Sequence, residues 1–439
     1  MNIRREEVPS ILMAALYFFC ILTALMVLRP AREALGMQSG LDAVRWLFML
    51  TLVATLVVNP VFGLLVSRFR RMVFIAATNL FFAGNLAIFY ALLVFSPEAV
   101  GERTGQVFYV WMSVFNLFVT MVFWALMADR FSLDQSKRLF GLIAVGGTVG
   151  AMVGSSIPWT LAERIGTPNM LLIAAAFLTF AVGAAWGVTR LTPHRDGGEG
   201  MSSAVGAGGE PVSRAVIGGS AWEGFRAVFR SRYLLGISAY VLILAVLVTF
   251  LYFTRLQMVA EIGDTVDEQT ALFGQIDFIT QAATLILQAV VAGHLMKRLG
   301  VSVTLALLPI TVALGYIGLA IVGTLTALII FEAVFRAVQR AIMRPARETL
   351  FTVVSREDKY KSKAFIDTFI YRGGDAVGAQ VEGALVRTGM GLAVLATAAV
   401  PLAIVWGALG LWLGRVQQQK ARQQDSPAPV EGRVGRSDL

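Results

Sequence analysis

The sequence predicts an all-α membrane protein with about twelve transmembrane helices arranged in two six-helix bundles. Three observations support this fold class: an apolar composition, twelve apolar segments of membrane-spanning length, and a repeat that relates the two halves of the chain. Of the 439 residues, 57% are hydrophobic and only 15% are charged, whereas about 25% of a typical soluble domain is charged. Most of the molecular surface is therefore built to face lipid.

Twelve apolar segments are long enough to cross a bilayer as helices. A spanning helix needs ~20 apolar residues at ~1.5 Å per residue, and its backbone groups must pair internally because lipid offers them no partner. The first segment is too long for the apolar core of a cleavable signal and lacks a small-residue cleavage pattern, so we expect a retained helix. The predicted spans are residues 10–28, 43–66, 73–95, 105–128, 140–161, 169–190, 233–254, 273–296, 303–323, 325–343, 364–388 and 391–414.

Loop charges predict the orientation of the chain. Lys and Arg are concentrated in the N-terminal segment, the central linker, the tail and the loops after the even-numbered spans, whereas the opposite loops are short and acidic. An excess of Lys and Arg marks cytoplasmic loops. We therefore expect both termini in the cytoplasm and a location in the cell (inner) membrane. This topology also explains the net charge of +9, so we predict the lipid bilayer as a partner and no nucleic acid.

Changes in composition divide the chain into four parts. The segment at 191–220 is rich in glycine and serine, which predicts a flexible cytoplasmic linker. Trp222, Phe225 and Phe229 then share one helical face, which predicts a short interfacial helix before the seventh span. The predicted parts are an N-terminal six-helix bundle at 1–190, the linker at 191–220, a C-terminal six-helix bundle with its leading interfacial helix at 221–414, and a disordered cytoplasmic tail at 415–439.

Short sequence matches recur at equivalent places in the two halves. Residues 63–68 after the second span match residues 293–298 after the eighth, and the glycine-rich residues 146–150 in span five match residues 373–378 in span eleven. A parallel repeat of two six-helix halves is how major facilitator transporters are built. The basic loop after span two also resembles a degenerate form of that superfamily's glycine-and-arginine motif, without its usual acid. The resemblance implies the major facilitator fold and alternating access.

Charged residues inside the predicted spans mark a candidate pathway. Each costs roughly 2.5–3.5 kcal/mol at a helix centre, so such residues usually line a cavity. Two alternatives remain: an ion pair within span ten that only satisfies itself, and a polar face on span eight that only joins helices. The surplus of arginine over glutamate in span ten favours a bound anion. The positions are Asp277 in span eight, Glu332, Arg336 and Arg340 in span ten, and Arg372, Asp375 and Glu382 in span eleven.

The end of the first span carries two arginines on one helical face, Arg29 and Arg32, with Glu33 adjacent. A planar guanidinium binds phosphate or carboxylate through several donors. Positive charge at this end of the span runs against the topology rule, which favours a ligand-binding role over a surface anchor.

Three motifs resemble the ATP/ADP translocases of plastids and intracellular bacteria, the nucleotide-exchange branch of this fold. Residues 28–33 are similar to that family's Leu-Arg-Asp-x-Lys-Asp pattern, which places Arg32 at a key lysine. Residues 124–129 resemble its Trp-x-Phe-Ala-Asn-Glu pattern, which makes Asp129 the counterpart of a functional acid. Residues 371–376 resemble its Gly-Lys-Ser-Gly-Gly-Ala pattern, which places Arg372 at the second key lysine. Charge is kept at all three positions, while the geometry of each group changes.

The resemblance implies exchange of a nucleotide or another phosphorylated anion. We therefore predict a secondary active transporter whose partners are a small anionic solute and either a counter-solute or a proton, with no cofactor. Arg29, Arg32 and Arg372 are the predicted phosphate-facing groups, and Asp129 is an ion-pair or gating partner. The further predicted cavity residues, whose carboxylates alternatively couple protons, are Asp277, Glu332, Arg336 and Asp375.

Other functions remain as alternatives. A proton-coupled exporter of a drug or metabolite would use the same fold, and a cationic substrate would then require a net acidic cavity. A transporter-like sensor would bind a ligand without moving it. The sequence contains no paired histidines, no activated serine or cysteine motif and no Walker loop, and its single Cys20 and two histidines cannot form a conventional zinc site. An enzyme is therefore not predicted.

Overall fold

The computed structural model describes residues 7–68, 71–192, 221–291, 295–388 and 391–425, and these residues are almost entirely helical. Two π-helical turns, Gln339–Met343 and Ile366–Ile370, and a 3-10 turn at Leu350–Val353 interrupt the helices of the second half. The helices are α1 (Val8–Met37), α2 (Leu41–Arg68), α3 (Arg71–Phe95), α4 (Glu98–Arg130), α5 (Leu133–Ile165), α6 (Thr167–Leu191), α7 (Ala221–Arg230), α8 (Arg232–Ile262), α9 (Val266–Val291), α10 (Leu295–Val322), α11 (Leu325–Val338), α12 (Arg344–Thr349), α13 (Arg356–Phe365), α14 (Tyr371–Val386) and α15 (Gly391–Asp425).

Ten helices within the described residues are long and apolar enough to cross a membrane. They correspond to the predicted spans one to nine and twelve, and they confirm the all-α membrane fold. The predicted spans at 325–343 and 364–388 fall where π-helical turns divide the chain and charged residues shorten the apolar length. The count of twelve spans therefore stays a prediction.

The outer faces of the helices are apolar. Phe81, Phe180 and Ile321 each expose more than half of their surface. Exposed apolar surface on this scale is typical of contact with another apolar phase. Lipid therefore provides the environment that these side chains need.

The first half, α1 to α6, packs around α1. The closest approach is made by α5, where a Cβ on Gly146, Gly150 or Gly154 would collide with backbone oxygens of α1. Glycine at every fourth position lets the two helix backbones touch. The glycine-rich sequence of span five is thus a packing surface.

The second half, α7 to α15, repeats this arrangement with α8 and α14. A Cβ on Gly374 would lie 2.6 Å from the Cβ of Ala245, and one on Gly378 would lie 3.0 Å from that of Thr249. A Cβ on Gly373 would instead meet open space. In each half, the fifth predicted span packs through glycines on the first, which is the arrangement that a parallel repeat predicts.

Three apolar cores hold the molecule together. One lies among α1 and α3–α6, and a second among the helices of the second half. The third joins the halves where α1 runs into α2 and α8 into α9, and we call this the closed end of the molecule. The buried residues of the third core are Ala34, Met37, Val44, Leu47, Tyr109, Phe253, Leu256, Val259, Phe273, Ile276 and Ala379.

The end of the last helix differs from the prediction. The sequence predicts a disordered tail from residue 415, whereas α15 continues to Asp425. Gln417 is buried, and Val416 and Ala421 pack on the second core, so this part of the tail gains contacts that keep it helical. The predicted helix after the linker is present as α7, and its place at the membrane interface stays a prediction. Of the linker predicted at 191–220, Leu191 ends α6 and residues 193–220, with His194, lie outside the described residues. His294 also lies outside them.

Candidate functional site

A cluster of buried charges lies where α1 meets α8, α9 and α11. At its centre is Arg255 of α8, whose side chain is 2% exposed. Its Nη1 donates to Asp277 Oδ1 at 2.9 Å and to Glu332 Oε1 at 3.3 Å, and its Nη2 donates to the Phe273 carbonyl oxygen at 3.4 Å. One guanidinium therefore holds two buried carboxylates from two different helices.

The same carboxylates contact two arginines that are more exposed. Arg29 Nε of α1 lies 3.6 Å from Asp277 Oδ2, and Arg336 Nη2 lies 3.4 Å from Glu332 Oε1. The exposed fractions of these two arginine side chains are 24% and 16%. The ion pair between Arg29 and Asp277 joins the first half of the molecule to the second.

Arg340, on the π-helical turn after α11, extends the cluster. Its Nη1 donates to Gln281 Oε1 of α9 at 2.5 Å. Three other arginines, Arg336, Arg29 and Arg344, repel its charge, and the carboxylate of Asp277 in α9 attracts it. Such turns are frequent at functional sites. This one adds a guanidinium to a region that is already rich in arginine, so an anion bound there would relieve the repulsion.

Arg32 and Glu33 form a second cluster on α1. Arg32 Nη2 lies 3.3 Å from Glu33 Oε1, and its guanidinium carbon lies 4.1 Å from the centre of the Tyr109 ring of α4. Tyr252 of α8 donates a short hydrogen bond to Glu33, and its hydroxyl lies 2.8 Å from that of Tyr109. A cation–π contact and an ion pair together fix the plane of the guanidinium. Its Nε has no hydrogen-bond partner among the described residues.

The two clusters together carry more positive than negative charge. They contain five arginines and three carboxylates, a surplus of two positive charges if all are ionised. Uncompensated charge is unfavourable away from water, and a bound anion would offset it. The members are Arg29, Arg32, Arg255, Arg336 and Arg340, with Glu33, Asp277 and Glu332.

Arg372 and Asp375 of α14 form a separate pair. Arg372 Nη1 lies 3.4 Å from Asp375 Oδ2, and Thr249 Oγ1 of α8 donates to Asp375 Oδ1 at 3.4 Å. Within the described residues, no ion pair joins them to the arginine clusters. The predicted charged face of span eleven is therefore not joined by ion pairs to that of span ten within the described residues.

Asp129 also lies away from the arginine clusters. It is half-buried near the end of α4, whereas Tyr109, which stacks on Arg32, lies near the other end of the same helix. Twenty residues of helix separate them, a distance of ~30 Å at 1.5 Å per residue. A solute held by Arg32 would therefore not contact Asp129 in this conformation.

A second buried ion pair joins the halves at the closed end. Arg45 of α2 contacts Glu382 Oε2 of α14 through Nη2 at 2.8 Å and through Nε at 2.9 Å. Gln257 of α8 donates to the other oxygen of Glu382 at 2.6 Å, and Asp42 contacts Arg45 at 2.5 Å. Sequence reasoning assigns Glu382 to the face that carries Asp375, but the structure uses it to hold α2 against α14.

Sequence reasoning also missed Arg255. It lies one residue past the predicted end of span seven at 254, while α8 continues to Ile262. The sequence did contain a signal for this residue, because apolar residues continue after Arg255. They indicate that the helix extends past residue 254, which places the arginine within the span rather than at its boundary.

Comparison with known proteins agrees with this architecture. Residues 10–339 match the model of the Major Facilitator Superfamily. The ADP,ATP carrier protein 1 of Chlamydia trachomatis serovar D is 23% identical, over 92% of this chain and 88% of its own length. This similarity confirms the predicted resemblance to nucleotide carriers.

Two solved structures share the fold. The nucleoside transporter NupG superposes with a TM-score of 0.58 at 14% identity, over 94% of this chain and 99% of its own. An auto-inhibited peptide transporter of the POT family gives a TM-score of 0.60 at 12% identity, over 96% and 98% of the two chains. At this identity the likeness shows the fold alone. With the family model matching most of its length, this multi-pass membrane transporter belongs to the Major Facilitator Superfamily.

Proposed function

We propose that this protein is a secondary active transporter of a small phosphorylated anion, with ATP/ADP exchange as the first candidate reaction. The observation that carries the proposal is the surplus of guanidinium groups between the two halves, around Arg29, Arg32, Arg336 and Arg340. Arginine binds phosphate oxygens through paired hydrogen bonds. Transporters of this type bind their solute between the halves and alternate access by rocking them.

The nucleotide part of the proposal is supported by the similarity to the protein of Chlamydia trachomatis that is named ADP,ATP carrier protein 1. Arg32 and Arg372 occupy the motif positions that resemble the key lysines of ATP/ADP translocases. In the structure Arg32 is fixed by Glu33 and Tyr109, whereas the Arg372 side chain is 43% exposed. We propose that Arg32 binds phosphate in the conformation described here, and that Arg372 contacts the solute from α14.

The loop charges support a location in the inner membrane with both termini in the cytoplasm. In that orientation the closed end of the molecule faces outward, and we propose that the solute enters the site from the cytoplasm. Asp129, near the cytoplasmic end of α4, then suits a gating ion pair better than a contact with the solute. The predicted division into bundles at 1–190 and 221–414 provides the two bodies that alternate.

A proton-coupled exporter is the second candidate. The observation that favours it is Asp375, a carboxylate whose hydrogen-bond and ion-pair partners among the described residues are Arg372 and Thr249, and that could exchange a proton. A cationic drug would have to approach several arginines, which disfavours a cation as the solute. An anionic metabolite carried with a proton is compatible with both observations.

Uptake of labelled ATP into proteoliposomes tests the proposal. The full chain would be compared with its Arg32→Ala, Arg336→Ala and Arg372→Ala variants, with Arg103→Ala as the matched control because Arg103 is exposed at the start of α4. We expect uptake that requires internal ADP, that falls at least tenfold in the three site variants, and that persists in the control. Folded protein that takes up no phosphorylated anion, but takes up a cation against a proton gradient, would overturn the proposal in favour of an exporter.

A further inference from the structure

Arg255 differs from the other arginines of the cluster because it is enclosed by protein. Its guanidinium carbon lies 4.9 Å from the centre of the Phe273 ring, and its donors reach Asp277, Glu332 and the Phe273 carbonyl group. With 2% of its side chain exposed, Arg255 has no surface left for a solute. Its role must therefore act through the two carboxylates.

Each of these carboxylates is shared between Arg255 on the inside and a more exposed arginine. Asp277 lies 2.9 Å from Arg255 and 3.6 Å from Arg29. Glu332 lies 3.3 Å from Arg255 and 3.4 Å from Arg336. For Asp277 the contact to Arg255 is clearly the shorter one, whereas for Glu332 the two distances are nearly equal. Arg255 thus offsets one of the two negative charges from the buried side, and Arg29 and Arg336 together face the remaining one.

We propose that Arg255 is a positioning residue that sets the charge of the anion site. It offsets one of the two negative charges of Asp277 and Glu332, so that Arg29 and Arg336 keep a surplus of one positive charge for the transported anion. Without Arg255, the two carboxylates would balance Arg29 and Arg336 one to one, and this part of the site would lose its surplus charge. This inference rests on the proposed function, since it concerns the affinity of the same site for an anion.

A charge-rescue experiment tests this role. Apparent KM for labelled ATP would be measured in proteoliposomes for the full chain, for Arg255→Met, and for Arg255→Met combined with Glu332→Gln. We expect Arg255→Met to raise KM at least tenfold. The double variant should recover most of the loss, because Arg29 and Arg336 then face only the charge of Asp277. A purely structural role predicts the opposite, since the second substitution removes one more buried partner.

Two further variants keep the inference testable if Arg255→Met fails to fold. Glu332→Gln alone raises the surplus charge and should lower KM, and Arg255→Lys keeps the charge and should leave KM near that of the full chain. A KM that is unchanged in Arg255→Met, a double variant without recovery, or a raised KM in Glu332→Gln would overturn the inference while leaving the proposed function intact. Absence of transport of any phosphorylated anion by the unmodified chain would overturn both.

Discussion

The ion pair between Arg45 and Glu382 predicts that one substitution can loosen the closed end. It links α2 to α14 by two contacts of 2.8 and 2.9 Å, and the exposed fractions of the two side chains are 7% and 0%. Gln257 adds a hydrogen bond of 2.6 Å from α8. If alternating access separates the halves here, these groups become hydrated in the open conformation and are buried only in the closed one. Glu382→Gln should therefore destabilise the closed conformation selectively.

The size of the effect follows from the burial of the pair. Removing one partner of a buried ion pair costs about 3–5 kcal/mol. Arg45 would keep Asp42 at 2.5 Å, although that carboxylate is 70% exposed, so the lower end of the range applies. A difference of 1.4 kcal/mol changes an equilibrium tenfold. About 3 kcal/mol should thus raise the ratio of open to closed conformations on the order of 100-fold.

Thiol labelling can measure this shift because the chain has a single cysteine, Cys20, which is buried. In a Cys20→Ala background, Val44→Cys places a reporter in the third core, where Val44 is fully buried. We expect a membrane-impermeant maleimide to label it slowly in the parent and on the order of 100-fold faster with Glu382→Gln. Glu348→Gln is the matched control, because it breaks the 2.5 Å contact to Lys363 within the second half. Equal labelling rates in folded parent and Glu382→Gln protein would refute the reasoning.

Three further predictions concern coupling, packing and orientation. Asp277→Asn breaks the ion pair that joins α1 to α9, so it should allow ATP uptake into vesicles without internal ADP; uptake that still requires ADP would contradict this. Gly150→Ala should lower the free energy of unfolding in detergent by about 2 kcal/mol, because the added Cβ would press on the backbone of α1. Gly183→Ala is its control, since a Cβ there meets nothing within 4 Å. Tyr109→Leu should raise KM for ATP about fivefold by releasing the stacked guanidinium, at about 1 kcal/mol for a cation–π contact, whereas Tyr109→Phe should keep KM near that of the parent.

The fold class was predictable because the membrane leaves few alternatives. A chain that must pair its backbone groups internally forms helices wherever an apolar segment is long enough. The same reasoning is weaker for residues 325–343 and 364–388, where the helices contain π-helical turns. The turn at Gln339–Met343 carries Arg340, which contacts Gln281 on another helix. Contacts of this kind depend on the assembled structure, so hydropathy along the chain does not report them.

Most charged residues of the cluster were predictable individually, but Arg255 and the partners of the others were not. Placing a charge inside a membrane span costs free energy, which marks Arg29, Asp277, Glu332 and Arg336 as candidate functional residues. The structure brings these four together around Arg255. Spacing along one helix cannot indicate which helix lies opposite. The pair formed by Arg45 and Glu382 spans 337 positions of sequence, and its carboxylate therefore looked like part of a different face.

The arrangement of the acids suggests how binding can be linked to movement. Of the contacts made by Asp277, the one to Arg255 stays within the second half, while the one to Arg29 crosses between the halves and is longer, at 3.6 Å. An anion that binds Arg29 competes with Asp277 for the same guanidinium, and Asp277 keeps Arg255 as a partner when it loses. The contact across the halves then weakens only when a solute is bound, because only the solute replaces the lost charge. A carrier built in this way should change conformation readily when loaded and slowly when empty, which is the behaviour that exchange requires.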